Sequence, residues 1–537
     1  MDLVIRNARI WTADPARPWA TALAVRDDRI AAVGDDQDVV SGAGVTTLDA
    51  GGRFVMPGVV DSHNHIRLGS GQGAVQLAGA TTLEEVHARI SLWLVENPDA
   101  EWVMGEGFDY AAVPGGGHPR AEHLDGATDG RPAMLLDYSV HAAWFNSEAL
   151  GRLGVGRGTA RVPYGMFELD EVTDEPTGYL QDYATYGLSR AGLSALREVV
   201  PAFGLEAQYE RVRAGLRMAT SLGITTVVEP QNSLDDLALF LRARDEGELR
   251  SRVIAALFHP VGTTDDELDD FAAAARSFSD DRFAVGPIKL YIDDIVEPHT
   301  AAMLAPYANR PDTSGRTYYG PAEFGDLLTR LDARGLQCFV HATGDRGIQV
   351  TLDAFEQARR ANGARDSRHQ IVHVECLDAA DIGRFAELGV VACMQPRHCA
   401  PEIVGEWRAN VGPQRWRHAW PMRSLVDSGA AVAFSSDWNV AEMDPLVGIY
   451  TALTRASLDG TESWVPEERV DVETALRCYT SIGAWANFVD HDRGTLSPGR
   501  LADLAVLSAD PFEIEPAALL DTAVTMTVVG GEVVHEA

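Results

Sequence analysis

Short runs in which β-branched residues alternate with polar ones open the chain: LVIRNARIWTA, ATALAVRDDRIAAVGDD and VTTLDAGGRFVMPG. Asp-Asp and Gly-Gly pairs punctuate them, which predicts strands joined by tight turns. The chain closes the same way, with LADLAVLSADP and TAVTMTVVGGEVVHEA. Strands at both ends predict one composite β-sandwich domain built from residues 1–55 and 485–537. Two separate caps are the alternative reading.

Between these ends lie eight apolar runs, each ending in polar residues: RFVMPGVVDSHNH, GITTVVEP, SRVIAALFHP, FAVGPIKLYIDD, LQCFVHATGD, HQIVHVE, VVACMQPRH and AAVAFSSDW. Amphipathic stretches such as PAEFGDLLTRLDARG, GIQVTLDAFEQARRANG and DAADIGRFAELG separate them. Buried strands alternating with helices signal a parallel sheet. Eight repeats predict an α/β fold of the (β/α)₈ barrel type over residues 56–484, with its chemistry at the C-terminal strand ends. The stretch at about 66–201 interrupts the series after the first strand and is too long for a loop, so it reads as an inserted subdomain.

Composition narrows the partners. At 537 residues, with 46% hydrophobic and 23% charged, the chain has the make-up of a globular protein. A formal charge of −34 excludes broad nucleic-acid binding and disfavours anionic membrane surfaces, because like charges repel. No apolar run is long enough to span a bilayer, and the first residues lack the pattern of a signal peptide. The five cysteines form no CxxC pair, so the reduced cytoplasm is the expected location.

The basic residues are 44 Arg and one Lys, Lys289. Surface charge and ion pairing can all be served by Arg. A nucleophilic or carboxylatable amine cannot, because guanidinium stays protonated. Survival of one lysine by chance is the alternative, and its neighbourhood decides between them.

That neighbourhood is a set of strand ends. His63 and His65 close the first run as His-Asn-His, Lys289 the fourth, His341 the fifth, His373 the sixth and Asp437 the eighth. Residues two apart in a strand point the same way, so His63 and His65 are expected to face one ion. Imidazole and carboxylate suit a divalent cation, with zinc as the expected ion, one or two per chain. With carbon dioxide a neutral Lys289 amine would form a carbamate whose two oxygens can bridge two cations.

The chain resembles the amidohydrolase superfamily, with HxH, a carboxylated Lys, two His and a final Asp on barrel strands. The finer resemblance is to the amidohydrolase-3, YtcJ-like branch, which includes N-substituted formamide deformylases. It rests on VMPGVVDSHNH, HPRAEHLD, RPAMLLDYSVHAAWFNSEAL, EPTGYL, KLYIDD, HATGDRGI, RHQIVHVE, MQPRH, SSDW and GRLADLAVL, in family order across nearly the whole chain. The pattern departs from the family at His141, preceded by Asp137-Tyr138-Ser139-Val140 where Asp-Gly-His is usual. It departs also at Val372 for Glu, at IDDIVEPHTAA after Lys289, and at Asn439 for Pro.

The resemblance implies hydrolysis of a non-peptide carbon–nitrogen bond of a small molecule by a metal-activated water. Asp437 would take the water's proton and pass it to the leaving nitrogen. His141 is a candidate to hold the carbonyl or developing oxyanion, or a structural histidine. Asn146, Phe108, Tyr291 and Trp438 are candidate substrate contacts, and Tyr110 and Trp144 share their motif ends. Asp345 either orients His341 or caps a helix. Cyclic-amide, deaminase or lactone hydrolysis, a metal-dependent decarboxylase and a non-catalytic binding protein are the alternatives. Lys289 argues against a mononuclear deaminase, and the complete ligand set argues against a non-catalytic relative. A homodimer is the default expectation for a soluble enzyme.

Overall fold

The computed structural model describes residues 3–39, 45–69, 73–114, 118–157, 166–181 and 196–537. The chain divides into two compact units, one of residues 1–66, 213–258 and 264–537, the other of residues 67–212 and 259–263.

The first unit holds a parallel eight-stranded sheet whose strands we label β1 to β8. They are β1 Val59–Asp61, β2 Ile224–Asn232, β3 Arg252–Phe258, β4 Phe283–Tyr291, β5 Cys338–Ala342, β6 Gln370–His373, β7 Val391–Met394 and β8 Val432–Phe434. Each strand pairs with the next in chain order, the arrangement of the expected barrel. Helices follow where the amphipathic stretches predict them, at Pro321–Ala333, Asp345–Asn362 and Ile382–Leu388. The β1–β8 seam closes through backbone bonds at and beyond the strand ends. Ser62 N–H donates to Phe434 O (3.4 Å), Asp437 N–H to His63 O (2.8 Å) and His65 N–H to Trp438 O (2.7 Å).

The same unit contains two further sheets. One orders Arg29–Gly34, Ala22–Arg26, Leu3–Arg6 and Thr46–Asp49. The other places the C-terminal strands Glu532–Glu536, Val524–Val529 and Leu504–Leu507 beside Phe54–Pro57, Arg9–Trp11 and Trp19–Ala20. Leu3, Ile5, Leu23 and Val25 of the first sheet share a core with Ile10, Val55, Leu504 and Val528 of the second. The composite sandwich from both termini is therefore present.

One sequence run serves two sheets. RFVMPGVVD supplies Phe54–Pro57 to the sandwich and Val59–Asp61 to the barrel, with Gly58 between them. A Cβ at Gly58 would sit 2.2 Å from Thr225 Oγ1, so only glycine fits this crossing. Arg252 of β3 and Asp503 at the edge of the sandwich strand Leu504–Leu507 form a buried two-pronged ion pair, at 2.7 and 2.9 Å. It ties the barrel to the sandwich.

The second unit has its own mixed sheet, ordered Met166–Leu169, Pro176–Gln181, Ala143–Phe145, Ala133–Asp137, Val103–Phe108 and Val75–Gln76. Its helix Leu83–Glu96 starts with a capping box between Thr82 and Glu85. Separate apolar clusters lie around Trp102, Met134 and Phe145 and around Val75, Phe108 and Trp144. This is the expected inserted subdomain. Among the described residues no helix is long and apolar enough to cross a membrane.

Candidate metal centre

The C-terminal ends of the barrel strands gather buried imidazoles around one carboxylate. His63 and His65 stand just past β1 rather than inside it, with ring centroids 4.9 Å apart. Their common direction comes from backbone bonds on both sides. Asn64 N–H donates to Val228 O of β2 (2.9 Å), and the β8 seam holds His63 and His65 from the other. Asp61 fixes the turn: it accepts from Ser436 Oγ (2.6 Å), Ser436 N–H (2.9 Å) and Asn64 Nδ2 (2.9 Å). Burial pushes the Asp61 carboxyl up to about 6, although these bonds pull it back.

Asp437 splits its two oxygens between two groups of histidines. Oδ1 lies 3.1 Å from His65 Nε2 and 3.6 Å from His63 Nε2. Oδ2 lies 3.7 Å from His373 Nδ1 and 3.8 Å from His398 Nε2. Among the described residues, two sets of three donors converge to within 4.8 Å: His63, His65 and Asp437, and His373, His398 and Asp437. Both His373 (φ 80°) and Asp437 (φ 56°) sit in the left-handed backbone region, which non-glycine residues rarely adopt. Such outliers cluster at functional sites.

The donors suit a divalent cation on two grounds. Two ligand atoms about 2.1 Å from one tetrahedral ion stand about 3.4 Å apart, close to the separations around Asp437. Most of these separations are too long for hydrogen bonds. Burial, then the charges of Lys289 and the neighbouring histidines, drives His63 well below its ordinary 6.5, keeping it in the neutral form that ligates metal.

Lys289 is fully buried near the end of β4. Its Nζ lies 3.5 Å from His63 Nε2 and over the rings of Tyr291 (4.9 Å) and Phe339 (5.2 Å). Burial lowers the amine to about 8, against the opposing charges of Asp437, Cys393 and Glu229. Burial would raise the Asp437 carboxyl, but the hydrogen bond and charge of His65, with His398 and Lys289, hold it below 3.8. It is an anion at neutral pH.

His341 packs its ring on Tyr291 (centroids 4.7 Å) and against His373 (4.5 Å). Its Nε2 donates to Asp294 O at 3.1 Å, since a carbonyl can only accept. His341 is therefore beside the centre but outside the two converging triads. Tyr291 receives the Gln231 side-chain amide on its hydroxyl, and Trp438 follows Asp437 directly.

His141, Asn146 and Phe108 lie in the second unit. His141 is half-buried in the connection from Ala133–Asp137 to Ala143–Phe145, its N–H donating to Ser139 Oγ (3.3 Å). Asn146 spends its amide on structure. Oδ1 accepts from Ala133 N–H (2.9 Å) and Ala149 N–H (3.0 Å), and Nδ2 donates to Thr128 Oγ1 (3.0 Å) and Arg131 O (2.8 Å). Phe108 is enclosed in the core with Tyr110 and Trp144. Asn146 and Phe108 thus both serve the packing of the insertion. Asp345, in the first unit at the start of the helix Asp345–Asn362, accepts from Leu304 N–H on Oδ1 (2.7 Å) and pins the loop after β4.

Sequence reasoning missed His398, Gln395 and Asp61. His398 and Gln395 belong to the MQPRH run, and Asp61 lies two residues before His63; their positions were the available signal.

Residues 46–535 match the model of the amidohydrolase family. The protein LONG AFTER FAR-RED 3 of Arabidopsis thaliana is 29% identical, over 99% of this chain and 91% of its own length. An N-substituted formamide deformylase of Arthrobacter pascens is 27% identical, over 100% of this chain and 98% of its own. Among solved structures, an uncharacterized metal-dependent hydrolase from Pyrococcus furiosus superposes with a TM-score of 0.74 at 26% identity, covering 96% of this chain and 100% of that one.

Proposed function

The chain belongs to the amidohydrolase family and is a hydrolase of non-peptide carbon–nitrogen bonds, and from that premise we propose that it cleaves an N-formyl or N-acyl bond of a small molecule. The observation that carries the reading is Asp437, a buried anion whose two oxygens each face a pair of imidazoles.

His63, His65, His373 and Asp437 would hold a divalent cation, with zinc the ion of choice for such donors. When bound, the cation polarises a carbonyl and brings the pKa of water from 15.7 towards about 7. The ionised Asp437 takes the proton of the water that attacks the carbonyl carbon. It then returns that proton to the nitrogen as the carbon–nitrogen bond breaks. Gln395 keeps His373 in one tautomer, because its amide nitrogen donates to Ser435 Oγ (2.8 Å) and its Oε1 accepts from His373 Nδ1 (2.9 Å).

Lys289, in this reading, carries a carboxylate and bridges two cations. Its burial and its amine lowered to about 8 support carbamate formation, which needs the neutral base. Tyr291 and Trp438 line the substrate space, and His141 is the candidate for holding the scissile carbonyl. A small molecule is the partner, and the enzyme acts in the cytoplasm.

The test is a screen of the zinc-loaded protein against N-formyl, N-acyl and cyclic amides. Release of formate or another acid with the free amine supports the reading. Turnover of cyclic amides alone would replace it with ring opening. A fully active, metal-free preparation would exclude it.

A further inference from the structure

The chain leaves β8 through two buried serines, Ser435 and Ser436, that immediately precede Asp437. They reach opposite neighbours. Ser435 turns to β7: its Oγ donates to Met394 O (3.4 Å) and accepts from Gln395 Nε2 (2.8 Å). Gln395 in turn accepts on Oε1 from His373 Nδ1, at 2.9 Å. Ser436 turns to β1: its Oγ donates to Asp61 Oδ2 (2.6 Å) and accepts from Asn64 Nδ2 (3.3 Å) and Trp438 N–H (3.1 Å). Asp61 also accepts from the Ser436 N–H (2.9 Å) and the His63 N–H (3.4 Å). These two sets of bonds have no side chain in common.

A side-chain amide has a direction. Turned one way, Gln395 offers oxygen to His373 and requires a proton on Nδ1. Turned the other way, it offers N–H and requires a lone pair there. Nothing within the Gln395–His373 pair chooses between the two. The choice comes from the far end of the amide: Ser435 directs its proton at Met394 O and faces Gln395 as an acceptor, so it takes the amide nitrogen. Ser436 has no such choice to make. An ionised carboxylate only accepts, so the Ser436 hydroxyl donates to Asp61, and its lone pairs are left for Asn64 and Trp438.

We propose that Ser435 and Ser436 are two independent positioning residues for the reaction. Ser435 sets the tautomer of His373 through Gln395, which leaves the Nε2 lone pair for a cation. Ser436 holds the His63–His65 turn through Asp61 and Asn64. One tripeptide then supplies the Asp437 carboxylate and aligns the imidazoles on both sides of it. This rests on the metal-dependent reading above and names what orients its ligands. The alternative is that both hydroxyls serve packing alone.

The full-length protein is labelled with ¹⁵N-histidine and examined by NMR, metal-free and with zinc, and zinc affinity is measured against a competing chelator. In the metal-free wild type His373, assigned by the signal lost in His373→Asn, should be a single Nδ1–H tautomer. Ser435→Ala should add the Nε2–H form at His373 and leave His63 and His65 unchanged. In a Gln395→Glu background Nδ1 should stay protonated with or without Ser435, because a carboxylate has no direction to set. Ser436→Ala should do the reverse of Ser435→Ala, shifting His63 and His65 while His373 keeps its tautomer. It should weaken zinc roughly 10–100-fold, the usual cost of losing a partner behind a ligand. Ser436→Thr, which keeps the hydroxyl, should recover most of that loss. In the double variant Ser435→Ala, Ser436→Ala the losses in affinity should multiply, as for groups with no shared partner. Cysteine at either position, near serine in size but a weak acceptor, gives the same readouts if an alanine variant does not fold. A His373 tautomer unmoved by Ser435→Ala overturns the role of Ser435. Wild-type zinc affinity in Ser436→Ala overturns that of Ser436. A double variant no weaker than the weaker single one overturns their independence. A wild type that is active without metal overturns the metal-dependent reading and the affinity arm, whereas the tautomer, read without metal, still decides the role of Ser435.

Discussion

The backbone N–H of Asp437 donates to the carbonyl oxygen of His63 at 2.8 Å, so the last barrel strand is registered directly on the His-Asn-His segment of the first. The carboxylate side chain is thereby delivered between two imidazole pairs by a main-chain bond that no side-chain substitution removes. Asp437→Asn should therefore fold normally. It should lose metal affinity, since the shared anion is gone, and its turnover should fall by roughly 10²–10⁴-fold, the usual worth of a positioned general base. Metal content, turnover and far-ultraviolet circular dichroism on one preparation check this. Undiminished turnover would remove Asp437 from the reaction.

Removal of metal has a separate thermodynamic signature. The donors are buried and close-packed, so an ion that binds only the folded state stabilises it. At a free concentration about a thousandfold over Kd that linkage is about 4 kcal/mol. Dialysis against a chelator should lower the unfolding midpoint and abolish turnover, and zinc should restore both. A chelated protein with the original midpoint and full turnover would show that the imidazole cluster works without metal.

The eight strands were legible because each buried run ends where its polar residues begin, and a parallel barrel puts those ends on one face. His63, Lys289, His341, His373 and Asp437 follow from that rule. The same rule misplaced detail. His63 and His65 align through flanking backbone bonds rather than through strand alternation, because β1 stops at Asp61. His398 follows no strand periodicity, since it sits on a short turn after β7. Asn146 and Phe108 were drawn towards the site by family motifs, although capping and packing account for both. The split of RFVMPGVVD between two sheets was not visible either, because it depends on the room that Thr225 leaves at Gly58.

Acid sensitivity should trace in part to Asp503. Burial would raise this carboxyl, but the charge and hydrogen bonds of Arg252, the charge of Arg493 and the Gly530 N–H hold it below 3.8. A depressed folded pKa contributes stability above the unfolded value, and that contribution is lost as pH falls through the folded one. At pH 7 Asp503→Asn should cost roughly 1.5–3 kcal/mol, the worth of a buried charge-assisted bond, because Arg252 keeps its second anion, Asp281, at 3.0 Å. The gap between variant and wild type should narrow below pH 3.8. Denaturant unfolding at several pH values measures it, and a pH-independent gap would assign the loss to packing rather than charge.

Lys289 is the one lysine among 45 basic residues, and it is fully buried within 3.5 Å of His63 Nε2. Two roles fit a buried amine here: a cation balancing Asp437, or a carbamate that contributes an anion. They make opposite demands on a replacement. A balancing cation tolerates arginine, which keeps the charge. A carbamate does not, because guanidinium stays protonated and repels metal. Lys289→Arg should lose at least one metal equivalent and reduce turnover by roughly a hundredfold or more, as loss of an inner-sphere anion implies. Lys289→Ala should do the same, but short-chain carboxylic acids should restore part of the turnover by taking the place of the bridge. Carbon-13 NMR of the wild type in labelled bicarbonate should show a carbamate signal that both variants lack. A Lys289→Arg protein with wild-type metal content and turnover would leave the lone lysine as a feature of composition only.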